Sequence, residues 1–375
     1  MNNLLETWMS IKKNKENKHS YFLKLALLQA KKNLGNTKEN PSVGSIIVKN
    51  DIVLGVGSTG INGRPHAEHQ AFKSTKGNIK NSDMYITLEP CSHYGKTPPC
   101  VNKIIKKKIK RVFYPIYDLD KRSHKKSINL LKKKGIKVST GINKNKFNEF
   151  YKSYLKFKKE SLPYVAAKIA ISKDYFIKNI ENKWITNDAS RSRGHILRSK
   201  HDCLITTYNT IKQDNPMLNC RVLGLEKKSP TRVILDKNLS IKINSNVIKT
   251  SNKYPTIVIF NNYNKKKIRA LKYHKVKLIK KRLNASNQFD LNDILLHLKN
   301  KGFSRIFVES GAKLINELLK KKLIDKLYLF YSNKSLNKNG RINVKKKIIS
   351  FIKNRPFTNE NVNLNGNKLF IYRLK

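Results

Sequence analysis

The apolar and polar residues of this chain switch repeatedly between helical and extended spacing. Apolar residues recur with helical spacing over residues 19–34, and Gly35 follows as a stop signal. Two apolar runs at 43–49 and 52–57 are separated by Asn50-Asp51, which predicts a hairpin. The same patterns predict strands at 84–88, 111–115 and 136–139, and helices that begin at Pro65 and span 101–108, 127–134 and 147–159. Such alternation predicts an α/β layered fold.

The second half of the chain shows the same alternation. Leu162-Pro163 breaks the charged helix before it, which predicts a domain boundary near residue 160. The patterns predict strands at 164–171, 203–206, 232–236, 256–260, 305–309 and 326–331, and helices at 190–200, 291–301 and 312–321. Residues 261–289 and 332–365 are rich in Lys and Asn and are predicted to be loops. The expected organisation is an N-terminal extension over 1–18, a first domain over 19–160 and a second over 161–375.

Composition narrows the class of protein. A chain of 375 residues suggests about two domains, and 39% hydrophobic residues suffice for packed cores. Four cysteines do not form a disulfide scaffold, no apolar run approaches the length of a membrane span, and the N-terminus lacks a secretory signal pattern. We therefore expect a soluble cytoplasmic protein.

The formal charge of +56 raises the question of nucleic-acid binding. A binding face would concentrate its basic residues on one helix or stripe, whereas the lysines here are spread along the whole chain. This distribution favours solvated surface over a specific nucleic-acid partner, although such a field would still attract anionic ligands.

The residues best suited to catalysis lie in two segments of the first domain. One contains Pro65, His66 and Glu68, and the other contains Cys91 and Cys100 with eight residues between them. One imidazole and two thiolates suit tetrahedral Zn²⁺ with a fourth position open for a water, which the metal acidifies. Glu68 would accept that proton and pass protons to a ring nitrogen and a leaving amine. The pattern predicts hydrolytic deamination of a heterocycle.

Each of these residues also has an ordinary structural interpretation. Buried thiols pack as small hydrophobic groups, and a single histidine is more often a hydrogen-bonded polar residue than a ligand. The combination in this order favours the metal site, because the zinc-deaminase signature requires every part of it. Cys203 and Cys220 have no histidine or cysteine at ligand spacing, and we expect them to be core residues.

Longer stretches carry a more specific resemblance. In the first half they are residues 40–44, 63–68 and 88–100, and in the second half residues 168–174, 184–186, 197–198, 210–218, 221, 232–236 and 308–311. Over nearly its whole length the sequence resembles the bifunctional riboflavin-biosynthesis deaminase/reductase family. The eight-residue insert between Cys91 and Cys100 fits this family, since nucleobase-editing and cytidine deaminases have cysteines two residues apart. The resemblance implies a cytidine-deaminase-like three-layer domain followed by a dihydrofolate-reductase-like domain.

The resemblance also implies reactions, cofactors and assembly. The first domain would use one zinc ion to remove an amino group from 2,5-diamino-6-ribosylamino-4(3H)-pyrimidinone 5′-phosphate. The second would use NADPH to open the ribosyl chain to a ribityl group, with hydride chemistry that belongs to the cofactor. A homo-oligomer, either a dimer or a tetramer, is expected.

Roles for individual residues follow from their positions in the matching stretches. The catalytic residue is Glu68, and the metal ligands are His66, Cys91 and Cys100. The cofactor-side residues are Ala170, Trp184, Thr210, Asp214 and Gly311. The substrate-side residues are Asn40, Asp174, Arg198, Leu218, Arg221 and Glu309. Arg198 and Arg221 are the candidates for binding the substrate phosphate, because guanidinium binds phosphate with two hydrogen bonds. Without the resemblance, these arginines would be surface residues and Trp184 a core aromatic.

The chain departs from the family pattern in both domains. An Asp-Pro-Asn-Pro loop followed by glycines is replaced by residues 118–124, which contain neither residue type. In the second domain Tyr175 replaces a glycine, the loop at 180–183 is shortened, Asn215 replaces an Asp, and Lys237 replaces a Ser or Thr. Because a tyrosine disfavours positive φ and adds bulk, we expect either a slow reductase or one with a repacked pocket.

Three other functions remain open from the sequence. A deaminase acting on tRNA or single-stranded nucleic acid would account for the charge but not for the spacing of Cys91 and Cys100. A deaminase with a decayed reductase half is a second alternative. A basic binding protein with a decayed deaminase fold is a third, but drift would be expected to have changed His66, Glu68, Cys91 and Cys100, which are all present.

Overall fold

The computed structural model describes residues 15–181 and 184–375. These residues divide into two compact units, one ending at Glu160 and the other beginning at Ser161. Residues 1–14 of the expected N-terminal extension lie outside the described residues, and residues 15–18 begin the first helix. No helix in the described ranges is long and apolar enough to cross a membrane.

The first unit alternates strands and helices, as the hydrophobic pattern predicts. In its described part the helices are α1 (Lys15–Lys31), α2 (Ala67–Ser74), α3 (Cys100–Lys106), α4 (Lys126–Lys133) and α5 (Lys144–Lys159). The strands are β1 (Gly44–Lys49), β2 (Ile52–Ser58), β3 (Asp83–Ile86), β4 (Arg111–Tyr114) and β5 (Lys137–Thr140). The strands form one sheet in the order β2-β1-β3-β4-β5, with β3, β4 and β5 parallel.

Two glycines show how helices cover both faces of this sheet. A Cβ on Gly44 would lie 1.9 Å from the carbonyl O of Ala26 in α1, and a Cβ on Gly57 would lie 2.1 Å from that of Ala67 in α2. Gly57 pairs with Ser45, the neighbour of Gly44, so the two glycines point to opposite faces. The helices therefore sandwich the sheet, which confirms the three-layer fold.

Strand β2 forms one edge of the sheet and has unusually apolar exposed residues. Ile52 is 63% exposed and Val56 is 39% exposed. The hydroxyl of Ser74, at the end of α2, donates to the carbonyl O of Val56 at 2.7 Å and accepts from its N–H at 2.9 Å. The outward backbone groups of Val56 are thus already hydrogen-bonded.

The second unit is built around a larger sheet. Its strands are β6 (Tyr164–Ile171), β7 (Phe176–Asn179), β8 (Cys203–Thr207), β9 (Thr231–Leu235), β10 (Thr256–Phe260), β11 (Lys277–Lys280), β12 (Arg305–Glu309), β13 (Lys326–Tyr331), β14 (Gly340–Asn343), β15 (Phe357–Asn359) and β16 (Lys368–Arg373). Its described helices are α6 (Asp188–Arg198), α7 (Tyr208–Asp214), α8 (Asn246–Lys249), α9 (Lys265–Tyr273), α10 (Leu291–Asn300), α11 (Ala312–Lys320) and α12 (Ser350–Ile352).

Nine of these strands form one sheet in the order β11-β10-β9-β8-β12-β6-β13-β16-β15, and β14 pairs with β7 separately. All pairs from β11 to β13 are parallel, whereas β16 is antiparallel to β13 and β15. Strand β6 is buried on both faces, since Val165 and Ala167 belong to one apolar core and Tyr164 and Ala166 to the other. Burial on both faces is typical of parallel strands in α/β domains.

Two segments predicted to be loops contain regular structure, so those predictions are wrong. Residues 261–289 form α9 and β11, and residues 332–365 include β14, β15 and a helical turn over 345–352. In the latter segment Val344, Ile348 and Ile352 follow a spacing of four and are fully buried. The lysines between these positions occupy the exposed side and mask the periodicity.

Candidate metal centre and reductase site

Three predicted ligands converge at the carboxyl end of β3 in the first unit. His66 immediately precedes α2, Cys91 follows β3, and Cys100 is the first residue of α3. His66 Nδ1 lies 3.6 Å from Cys91 Sγ and 3.4 Å from Cys100 Sγ. All three ligand atoms are within 4.8 Å of one another.

This arrangement fits a zinc ion. In a tetrahedral site with ordinary Zn–N and Zn–S bond lengths, a histidine nitrogen and a thiolate sulfur are separated by about 3.6 Å. The two nitrogen–sulfur distances of 3.6 and 3.4 Å match that separation. One imidazole and two thiols are donors that zinc prefers, and three protein ligands leave one position for water.

The charge state of Cys91 favours metal binding. Hydrogen bonds from Cys100 and from His66 lower the pKa of the Cys91 thiol to about 4, against the opposing effect of burial. The backbone N–H of Cys100 also donates to Cys91 Sγ at 3.3 Å. Cys91 is therefore a thiolate at neutral pH, which is the form that binds metal.

Glu68 lies in the first turn of α2 with its side chain turned inward. It is only 4% exposed, which is rare for a carboxylate. Burial is the main cause that raises its pKa, the negative charge of Cys91 raises it further, and the positive charge of His66 opposes both. A carboxyl group with a raised pKa is a stronger proton acceptor than an ordinary one, which suits a group that takes a proton beside a metal centre and returns it later.

Asn40 packs against the loop that leads into His66. Gly63 in that loop has a φ of +88°, and a Cβ added there would lie 2.1 Å from Asn40 Nδ2. The amide of Asn40 therefore lies directly against Gly63, three residues before His66. Its expected contact with the substrate stays a prediction.

We expect Gly63→Ala to raise the KM for deamination about tenfold, because the added methyl group displaces the amide of Asn40 and removes about one hydrogen bond to the substrate. The matched control is Gly77→Ala, since Gly77 has a φ of +79° but no atom within 4 Å of its added Cβ. Both variants should lose about 1 kcal/mol of stability from the left-handed backbone, and Gly63→Ala should lose more, because its Cβ would also lie 2.8 Å from the carbonyl O of Thr37. Steady-state kinetics that gave the two variants the same KM would contradict the placement of Asn40.

In the second unit, two predicted substrate residues are paired with each other. Arg198 Nε and Nη2 donate to the carboxylate of Glu309 at 2.7 and 2.9 Å. Lys168 Nζ lies 3.8 Å from the same carboxylate. Burial alone would raise the pKa of Glu309, but the charge and hydrogen bonds of Arg198, together with Lys168, hold it at about 2. Arg198 is expected to bind phosphate, but its Nε and Nη2 already donate hydrogen bonds to Glu309.

Arg221 and Leu218 lie in the segment next to this ion pair. The carbonyl O of Asn219 accepts from Arg198 Nη1 at 2.9 Å and lies 3.0 Å from His195 Nδ1. Leu218 is buried with a φ of +54°, whereas Arg221 is exposed. Arg221 is therefore the more accessible of the two predicted phosphate-binding arginines.

The pKa of His195 predicts a pH dependence of stability. Burial, followed by the charges of Arg198 and Arg221, lowers it from 6.5 to about 4. Between these values the unfolded chain binds a proton that the folded chain does not, so stability falls as the pH drops from 6.5 towards 4. In urea unfolding, the free energy of unfolding of His195→Gln should fall less between pH 6.5 and pH 4 than that of the wild type. An identical pH dependence in the variant would contradict this.

Two predicted cofactor residues are brought together at the start of α11. Thr210 Oγ1 lies 3.2 Å from Ser310 Oγ, and Thr207 Oγ1 lies 3.2 Å from the same oxygen. Gly311 follows as the residue before the helix, with no atom within 4 Å of an added Cβ. Open space beside the N–H groups of a helix N-terminus and a cluster of hydroxyls suits the phosphates of a dinucleotide.

The remaining predicted residues lie on separate elements. Ala170 is in β6 opposite Phe330, and Asp214 is the last residue of α7. The carboxylate of Asp174 accepts hydrogen bonds from the backbone N–H groups of Leu336 and Asn337.

Trp184 is 54% exposed, and the guanidinium of Arg191 lies over its ring, so Trp184 is not a core aromatic. Residues 182 and 183 of the shortened loop lie outside the described residues.

Tyr175 adopts a φ of 69° despite its bulk, so the turn keeps the geometry of the glycine that it replaces. Its ring packs against the core of the second unit, and Lys345 Nζ lies 5.6 Å from the ring centre. The left-handed backbone costs roughly 1–2 kcal/mol. The sequence argument that tyrosine would not readily adopt a positive φ therefore does not hold for this turn, and the slow or repacked reductase stays a prediction.

Sequence reasoning assigned no role to Lys168, Ser310 or Asn219, although each contacts a predicted site residue. Lys168 had a usable signal, since it is a charged residue within the otherwise uncharged strand β6. Asn219 contacts Arg198 and His195 through its backbone carbonyl, which no sequence pattern reveals, and its Oδ1 accepts from Arg221 Nη1 at 3.3 Å.

Comparisons with known proteins agree with both sites. Residues 16–116 match the model of the cytidine and deoxycytidylate deaminase zinc-binding region, and residues 163–348 match that of the RibD C-terminal domain. The fold and the two sites thus define a bifunctional enzyme, a zinc-dependent deaminase joined to a reductase that uses NADPH.

The chain is 33% identical to riboflavin biosynthesis protein RibD of Aquifex aeolicus over 84% of this chain and 86% of that protein. It is 34% identical to RibD of Bacillus amyloliquefaciens over 83% and 84%. It belongs to the RibD family of riboflavin biosynthesis. Among solved structures, RibD of Acinetobacter baumannii matches with 27% identity and a TM-score of 0.81, covering 96% of this chain and 99% of that one. A deaminase/reductase from Thermotoga maritima matches with 28% identity, the same coverage and a TM-score of 0.81.

Proposed function

We propose that the first domain, residues 19–160, deaminates 2,5-diamino-6-ribosylamino-4(3H)-pyrimidinone 5′-phosphate and that the second, residues 161–375, reduces the ribosyl chain of the product. The observation that carries this proposal is the convergence of His66, Cys91 and Cys100 beside the buried Glu68. The Thermotoga maritima structure is described as a diaminohydroxyphosphoribosylaminopyrimidine deaminase and 5-amino-6-(5-phosphoribosylamino)uracil reductase, which supports the choice of substrate.

His66, Cys91 and Cys100 hold the zinc ion, which supplies a Lewis acid and acidifies a water. Glu68 takes one proton from the attacking water and delivers it to the ring nitrogen. It then takes the second proton from the hydroxyl added to the ring carbon and delivers it to the amino group, which leaves as ammonia. Its burial supports this role, because exclusion of bulk water keeps the proton on the reacting atoms. Asn40 orients the pyrimidine ring.

In the reductase domain, Thr210 and Gly311 bind phosphate of NADPH, with Ala170, Trp184 and Asp214 along the rest of the cofactor. Arg221 binds the substrate phosphate through its exposed guanidinium. Arg198 contributes positive charge while its orientation is fixed by Glu309. Asp174 and Leu218 complete the substrate side.

Incubation of the purified protein with the pyrimidine substrate, with and without NADPH, tests both halves. Without NADPH we expect a product in which oxygen replaces an amino group and ammonia is released. With NADPH we expect a further gain of two hydrogens, at a low rate if Tyr175 has altered the pocket. Absence of ammonia from zinc-loaded protein would overturn the deaminase assignment, and absence of NADPH oxidation with the deaminated intermediate would mean that the reductase is lost.

We also make a proposal about the location, the oligomeric state and the partners of the protein. We infer a cytoplasmic homo-oligomer, a dimer or tetramer, that has no specific nucleic-acid partner. The spread of lysines along the chain supports non-specific attraction of polyanions over a dedicated binding face. Light scattering measures the oligomeric state, and tight RNA binding that persists at high salt would contradict the last point.

A further inference from the structure

Glu89, two residues before Cys91, is a buried carboxylate that the reaction described above does not use. It is 3% exposed and follows β3. Its Oε2 accepts the backbone N–H groups of Asp118 at 3.1 Å and Lys125 at 3.0 Å. Its Oε1 accepts the N–H of Ser127 at 3.3 Å and the hydroxyl of Ser127 at 2.7 Å. All four partners are donors, so the site is built for a carboxylate.

Two of these bonds hold the ends of residues 118–125, which we name the β4–α4 loop, and the other two hold the start of α4. Asp118 is near its beginning, Lys125 is at its end, and Ser127 is in the first turn of α4. The loop contains no proline or glycine, and its local turns are made by Asp118 and Asp120, whose Oδ1 atoms accept the N–H two residues further on at 3.0 and 3.1 Å. These turns act within the loop, whereas the buried carboxylate of Glu89 ties the loop to the segment that contains Cys91.

The middle of the β4–α4 loop contacts the segment that contains Cys91. Ser123 is fully buried, its hydroxyl accepts the N–H of Ser92 at 3.3 Å, and it lies 2.8 Å from His93 Nδ1. The loop follows β4, which is parallel to β3, so its residues lie at the same sheet edge as Cys91. Ligand sites of parallel sheets form at this edge.

The outer side of the loop is held independently of Glu89. Asp118 Oδ1 accepts the hydroxyl of Tyr154 at 2.6 Å, and its carbonyl O lies 2.6 Å from His124 Nδ1. The side chains of Arg122 and Asp120 form an exposed ion pair. Loss of the Glu89 bonds would therefore release the inner side of the loop without unfolding it.

We propose that Glu89 is a positioning residue of the deaminase: its carboxylate holds the β4–α4 loop against the Cys91 segment, so that the loop forms a preordered wall of the pyrimidine site. The inference rests on the proposed deaminase function. Glu89 thereby anchors a loop that has neither proline nor glycine to stiffen it. Its effect is on substrate binding and not on the metal, because its carboxylate oxygens contact the loop and α4.

Glu89→Gln tests the proposal, because glutamine replaces one carboxylate oxygen with an NH2 group. That group would face backbone N–H donors of the β4–α4 loop or of α4, with which it cannot form a hydrogen bond. We expect the KM for deamination to rise at least tenfold, kcat to change less than about threefold, and one zinc per chain to be retained. Hydrogen exchange should accelerate at residues 118–125 and not in β3. Glu160→Gln, an exposed carboxylate in the same unit, is the matched control and should behave as the wild type.

A KM within twofold of the wild type would overturn the inference, and so would a loss of zinc in proportion to the loss of kcat. If Glu89→Gln does not fold, Ser123→Ala decides: a raised KM with zinc retained supports the proposal, and a wild-type KM overturns it. Failure of the proposed function is distinguishable, because the wild-type protein would then release no ammonia from the substrate.

Discussion

Glu68→Gln should reduce ammonia release by a factor on the order of 10³, because glutamine cannot take a proton from the attacking water or return it to the leaving amine. Zinc should remain bound at one ion per chain, since the three ligand atoms come from His66, Cys91 and Cys100. Ammonia release and zinc content are measured on the same preparation.

NADPH oxidation with the deaminated intermediate serves as the control for Glu68→Gln, because it depends on the other domain and should be unchanged. Deamination retained within tenfold of the wild type would remove Glu68 from its assigned role. Loss of zinc together with activity would instead mean that Glu68 supports the metal ligands.

Glu309→Gln should lower the free energy of unfolding by about 3 kcal/mol, because it leaves the cations of Arg198 and Lys168 without their counter-charge. These side chains are only 13% and 22% exposed, so water compensates little. The folded pKa of Glu309 is about 2 and its ordinary value is 4.5, so its contribution is present above pH 4.5 and is lost as the pH falls towards 2.

Urea unfolding of Glu309→Gln at pH 7 and at pH 3 checks both parts of this prediction, and the difference from the wild type should shrink at the lower pH. Glu317→Gln is the matched control. Glu317 pairs with Lys320 at 3.7 Å on the surface of α11, and its removal should cost less than about 0.5 kcal/mol. Equal losses in the two variants would contradict the importance assigned to the buried pair.

The metal centre could be predicted because its chemistry restricts residue types and their order. The chain has only four cysteines, so few sets of residues can supply one imidazole and two thiolates near a carboxylate. His66, Cys91 and Cys100, with Glu68 close by, form such a set. The structure brings their ligand atoms to tetrahedral distances. The strands and helices of the first unit could also be predicted, since their apolar residues follow regular periods.

The reductase site could be predicted only in part, because its contacts join distant residues. Arg198 and Glu309 are 111 positions apart, and nothing local in the sequence indicates that they bind each other. The expectation that Arg198 is available to phosphate therefore overlooked its partner. Residues 261–289 show a second limit, since the lysines of α9 and β11 obscure apolar patterns that include only a few buried positions.

The hydrogen bonds that Ser74 of α2 makes to edge strand β2 affect the behaviour of the chain in concentrated solution. A bare, apolar strand edge is a template on which a foreign strand can be added, and repeated addition leads to fibrous aggregates. Val56 offers neither its N–H nor its carbonyl O to such a strand, because Ser74 already occupies both. One small side chain thus interrupts intermolecular sheet growth where Ile52 and Val56 are exposed.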